Sequence, residues 1–136
     1  MKLIKILIAE DDLDEQFFLK EAFKKSDFFE LLEIVSNGQL LIETLKNKTP
    51  PDIILSDINM PLVNGFEALK KIKENLAWAS IPYVLFTTCT HESLSMESYY
   101  YGADYFMVKP QLMDYDQWIL KLKSYYESLA ISKLRT

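Results

Sequence analysis

Pro50-Pro51-Asp52-Ile53-Ile54-Leu55-Ser56-Asp57-Ile58-Asn59-Met60-Pro61 sets an apolar run between a double proline and a loop that opens on an aspartate. The prolines stop whatever helix precedes them. Residues 52–56 are too few for a helix and too uniformly apolar for a strand with one wet face. They predict a strand covered on both sides, as in a parallel sheet.

Outward from that strand the same unit recurs. Residues 3–8, 31–35, 83–86 and 105–108 are further short apolar runs, and helical patterns separate them. Asp12 can cap a helix to about residue 25. Asn37-Gly38 reads as a turn, followed by a helix over 39–47 with Leu40, Leu41, Thr44 and Leu45 inward. Helices are expected over 66–75, over 93–101 with Gly102 as its stop, and over 115–130, where Trp118, Ile119, Leu122, Tyr126 and Leu129 share a stripe. Five β-α units in line predict an α/β, doubly wound, five-stranded parallel sheet with helices on both faces. The 136 residues suit one domain over 1–136 with no second, output domain.

Composition removes several functions. The chain has only three glycines, far apart, so a glycine-rich phosphate loop cannot be built. One cysteine, Cys89, and one histidine, His91, exclude an internal disulfide, a Cys-based zinc site and His-pair metal motifs. A net charge of −5 gives no general attraction to nucleic acid or anionic membrane. The apolar start is too short for a signal peptide or a membrane span, so a cytoplasmic location is the expectation.

In a doubly wound sheet the ligand site lies beyond the carboxyl ends of the strands. Those ends carry Glu10-Asp11-Asp12, Asp57, Thr87-Thr88 and Lys109-Pro110. With strand order 2-1-3-4-5 the first and third strands are neighbours, and Glu10, Asp11 and Asp57 crowd together. Such a cluster repels itself unless a cation relieves it. Mg2+ suits the task, because it takes few carboxylates and keeps several waters. Asp12, Asp14 and Glu15 read instead as helix-start acids.

Ile6-Leu7-Ile8-Ala9-Glu10-Asp11-Asp12, the stretch from Asp52 to Pro61 with Gly65, Thr87, and Gly102 through Phe106 to Lys109-Pro110 together resemble a receiver domain of the two-component response regulators. The resemblance implies the flavodoxin-like fold and a stand-alone phosphoacceptor switch rather than an enzyme acting on other substrates. It implies that Asp57 takes a phosphoryl group from a histidine kinase or a histidine phosphotransfer protein. It implies that Glu10, Asp11, Asp57 and the backbone carbonyl of Asn59 hold Mg2+. Lys109 would pair with phosphoryl oxygens, aimed by a cis bond before Pro110, while Thr87 and Phe106 would be the switch pair. Thr88 is bulkier than the residue usual after the switch threonine and would narrow access to Asp57. The alternative is a degenerate receiver that binds partners without phosphorylation, but none of its marks, a missing acceptor, lysine or acid pair, is present.

Seven of the eight tyrosines fall between Tyr99 and Tyr126. Such aromatic enrichment reads either as half-buried core or as a contact surface for a downstream protein or a homodimer. That surface would hold Tyr99, Tyr100, Tyr101, Phe106 and Trp118, on the fourth helix, fifth strand and fifth helix.

Overall fold

A computed structural model describes residues 2–88, 92–110 and 114–134. The strands are β1 (Ile4–Ala9), β2 (Phe29–Val35), β3 (Ile53–Asp57), β4 (Tyr83–Thr87) and β5 (Tyr105–Val108). The helices are α1 (Leu13–Lys25), α2 (Gly38–Asn47), α3 (Gly65–Lys73), α4 (Glu92–Tyr100) and α5 (Tyr115–Leu134). All strand pairs are parallel, in the order β2-β1-β3-β4-β5. Cys89 and His91 lie outside the described residues.

β3 and β4 are buried from end to end, as their sequences require of central strands. The core has two halves, one on each face of the sheet. On one face Ile6, Ile8, Leu55, Val84 and Phe86 meet Leu19 and Phe23 of α1 and Trp118, Ile119 and Leu122 of α5. On the other Leu7, Ile54 and Leu85 meet Leu41 and Leu45 of α2 and Ala68, Leu69 and Ile72 of α3. Burying one such side chain stabilises the fold by about 1.5–3 kcal/mol, so the central strands are a rigid base for what sits on their ends.

Several local expectations change. β2 begins two residues early, at Phe29, because that ring is buried and packs edge-on at 5.2 Å against Phe23. Asn37 is an N-cap rather than a turn residue: its side chain accepts from Leu40 N at 2.9 Å, and Gly38 starts the helix. Leu40 therefore points outward, and Gly38, Leu41 and Leu45 form the buried stripe. α5 runs to Leu134. No helix among the described residues is long and apolar enough to cross a membrane.

Candidate functional site

Three strand ends and one loop build the site. β1 delivers Glu10, whose N–H is held by Val35 O at 2.9 Å and whose carbonyl accepts from the Gln16 amide. Asp12 caps α1 by accepting from Glu15 N at 2.9 Å, which turns the chain away and leaves Asp11 exposed at the rim. β3 ends on Asp57, almost wholly buried. Its Oδ1 accepts from Ile58 N at 2.7 Å, which orients the carboxylate. β5 leads to Lys109, held by its own N–H to Thr87 O at 2.8 Å.

The loop after Asp57 is tightly tied back. Gly65 N donates to Ile58 O at 2.8 Å, and the buried Tyr83 hydroxyl donates to Gly65 O at 3.1 Å. A Cβ on Gly65 would stand 2.1 Å from the Asp57 carbonyl oxygen, so only glycine allows this approach. Leu62 in the same loop has φ of 67°, an uncommon backbone for leucine.

Lys109 sits between the acids. Its Nζ is 2.6 Å from Glu10 Oε1 and 3.1 Å from Asp57 Oδ2. Glu10 is fully buried, and its Oε1 has the ammonium beside it but no hydrogen bond of good angle. Burial pushes the Glu10 carboxyl up to about 7, against the pull of Lys109 and with the field of Asp57 adding to the rise. Burial disfavours the charged form of Lys109 too, but Glu10 and Asp57 outweigh it and hold the lysine above its ordinary pKa. Carboxylate oxygens of Glu10, Asp11 and Asp57 lie within 4.8 Å of one another. One ammonium cannot satisfy three carboxylates, and a buried oxygen without a well-aligned donor is what a hard cation relieves. These residues fit Mg2+ by number and by donor type.

The other expected residues fall as follows. Asn59 is exposed, two residues past Asp57. Thr87 is buried at the end of β4, next to Phe86, which pairs with Asp57 in the sheet. Thr88 is exposed beside it. Phe106 is half-buried against the α2–α3 half of the core. Tyr99 and Tyr100 are exposed on α4 and Tyr101 just past its end, and Tyr99 Oη accepts from Phe106 N at 3.3 Å. Trp118 is a correction: it is buried against Phe86 at 5.8 Å, and its Nε1 donates to Val108 O at 2.8 Å, so it belongs to the core and not to a surface. The cis bond before Pro110 is a second: no cis peptide bond occurs among the described residues. Lys109 needs none, because its backbone bond to Thr87 and two carboxylates already aim it. Gln16, as a side-chain brace on the Glu10 carbonyl, was not anticipated; only its place one helical turn after the Asp12 cap hinted at it.

Residues 6–117 match the response regulator receiver domain family. The protein-glutamate methylesterase/protein-glutamine glutaminase of Clostridium acetobutylicum is 32% identical over 113 residues, 82% of this chain and 32% of that protein. This chain thus spans about a third of the length of that curated relative. The phosphorylated cyanobacterial phytochrome response regulator RcpA shares the fold with a TM-score of 0.83 and 26% identity, over 94% of this chain and 96% of that one. The Mn2+-bound form of response regulator Rcp1 does so with a TM-score of 0.79 and 28% identity, over 90% and 94%. A parallel five-stranded sheet in this order, three acids and a lysine on its rim, and a family match over most of the length lead to one assignment: the chain belongs to the response regulator receiver domain family.

Proposed function

We propose that this chain is a phosphoacceptor switch: Asp57 takes a phosphoryl group from the phosphohistidine of a histidine kinase or a histidine phosphotransfer protein. The observation that carries it is the Asp57 carboxylate, buried at a strand end, with Lys109 Nζ 3.1 Å from one oxygen and the Ile58 N–H 2.7 Å from the other. That geometry fixes a weak nucleophile and supplies positive charge where phosphoryl oxygens would lie. An Asp57 oxygen forms the new bond to phosphorus as the P–N bond to the donor imidazole breaks, and the imidazole keeps the electron pair. The product is an acyl phosphate.

Glu10, Asp11 and Asp57 would hold Mg2+, with the Asn59 carbonyl as a further ligand by family resemblance. Bound there, the ion adds positive charge against the transferring phosphoryl oxygens. Resemblance to a phosphorylated regulator and to one solved with Mn2+ supports both parts of the reading. The acceptor, the acid pair and the lysine are all present, so nothing favours a phosphorylation-independent module.

Acetyl phosphate with Mg2+ should add one phosphoryl mass per chain, labile to base, and Asp57→Asn should abolish it. Equal modification of Asp57→Asn removes the assignment.

A further inference from the structure

Among the described residues, α1 is covered by a neighbouring helix on one flank only. On that flank Phe18 meets Tyr115 at 6.3 Å, and the Tyr115 hydroxyl donates to Glu15 Oε2 at 2.9 Å, docking α5. On the opposite flank lies a groove of about 620 Å³ between α1 and β2, the edge strand of the sheet. Leu13, Phe17, Lys20 and Lys24 form the helix wall, at the i, i+4, i+7, i+11 spacing of a single stripe. Leu13 and Phe17 are 78% and 60% exposed, far more than large apolar side chains need to be when a groove lies beside them. Phe23 and Phe29 form a dry floor.

The charges in this groove choose among occupants. Lys20 and Lys24 are like charges one turn apart, and among the described residues neither is in an ion pair. No acid of α1 lines the groove, and the acid on the β2 wall, Glu33, is already bound to Lys48 at 2.8 Å. A second copy would bring the same unpaired lysines into the interface and, since no acid of α1 lines the groove, no free acid there to meet them. Addition of a strand to β2 is opposed by the exposed Glu30 and by the Glu33–Lys48 pair, charges that guard a sheet edge. A helix laid beside α1, in the layer where the sheet edge lacks cover, meets neither objection.

We infer that the α1–β2 groove is a docking site for an amphipathic helix of a partner protein, one that seats apolar side chains spaced i, i+4 between Phe17 and Leu32 and sets Asp or Glu against Lys20 and Lys24. The groove lies on the flank of α1 opposite to α5 and does not depend on Asp57 being modified.

The experiment uses the unmodified full chain and three synthetic probes. Two are stapled amphipathic helices of about 16 residues with the same leucine stripe, one flanked by Glu and one by Lys; stapling holds so short a helix together. The third is an alternating Val-Glu extended peptide. The acidic helix should bind about tenfold more tightly than the basic one at low salt, and weaken as salt is added. Its amide shift changes should centre on Leu13, Phe17, Lys20 and Leu32. Phe17→Ser should weaken it about tenfold. The double change Lys20→Glu with Lys24→Glu should reverse the preference. Both variants alter exposed side chains, so an unchanged melting curve confirms that they fold. Equal binding of both helices, no binding of either, tighter binding of the extended peptide, or shifts centred on another face would overturn the proposal. Changes at Phe17 that track protein concentration alone would also overturn it, in favour of self-association.

Discussion

Glu10 is the residue where burial and chemistry pull hardest against each other. Its side chain is fully buried, and its carboxyl is raised from 4.5 to about 7. A carboxyl raised on folding favours the native state most below its unfolded value, near pH 4.5, and loses that contribution as pH climbs through 7. The span is on the order of 3 kcal/mol for a shift of this size, and it disappears once a cation takes over the charge. Two outcomes follow for the full chain. Without Mg2+, urea midpoints should fall between pH 5 and 7.5, and Glu10→Gln should flatten that slope. Mg2+ held by Glu10 as proposed would have to displace its proton below 7, so its affinity should rise from pH 6 to pH 8 by roughly tenfold. A flat affinity profile in the parent would show that Glu10 does not titrate there. Asp11→Ala should lower Mg2+ affinity and block modification by acetyl phosphate while the fold persists, because Asp11 is exposed and its loss removes a repulsion.

Among the elements, the β3–α3 loop is the one that leaves the least room for change. Gly65 lies against the backbone of Asp57 and Ile58, and its N–H and carbonyl are both bonded. Gly65→Ala should cost about 1–3 kcal/mol of stability and slow phosphorylation, since the added methyl must push the Asp57 peptide aside. Gly102 makes the control. It has φ of +101° but only the Lys73 side chain nearby, at 3.6 Å. Gly102→Ala should cost about 1 kcal/mol from backbone strain and leave phosphorylation rates untouched. If the two variants phosphorylate equally well, the loop does not position the acceptor. Asp12 is a third element-level handle: Asp12→Ala should cost about 1 kcal/mol through the lost cap on α1.

Across the whole molecule, β5 lies beside β4, whose end carries Thr87 at the rim. α4 buries little: Ser98 is its buried side chain among the described residues. It is held to β5 in part by the Tyr99 hydroxyl, which accepts the Phe106 N–H. Phosphorylation of Asp57, as proposed, would add strong acceptor oxygens at the rim, and Thr87, at the end of β4, is the proposed donor to one of them. A shift there would reach Phe106, whose neighbour in the sheet is Leu85. Beryllofluoride binding should therefore move amide resonances of Phe106 and Tyr99 as well as those of the rim. Thr87→Ala should uncouple them. Tyr99→Phe should leave the rim response intact but broaden or shift the Phe106 amide. Changes confined to the rim in the parent would show that no such coupling exists.

Alternation of apolar runs with helical stripes was enough to name five strands and five helices, because central strands in a parallel sheet must be apolar on both faces and leave no other reading. β5 was bounded to the residue. Asp12, Gly102 and the proline stops carried their local roles in their own chemistry. Glu10, Asp11, Asp57 and Lys109 were legible as strand-end residues, since the carboxyl ends of a doubly wound sheet meet at one rim. What the chain could not state was which stripe residue faces in. Leu40 and Trp118 differ from the stripe reading because exposure is set by tertiary packing: α2 turns Leu41 and Leu45, not Leu40, to the sheet, and Trp118 packs on Phe86 of β4. The deep burial of Glu10 is likewise a property of packing. Adjacent acids in sequence look alike, yet the fold turns Asp11 to solvent and Glu10 into the protein, and only that difference gives the two carboxyls different chemistry.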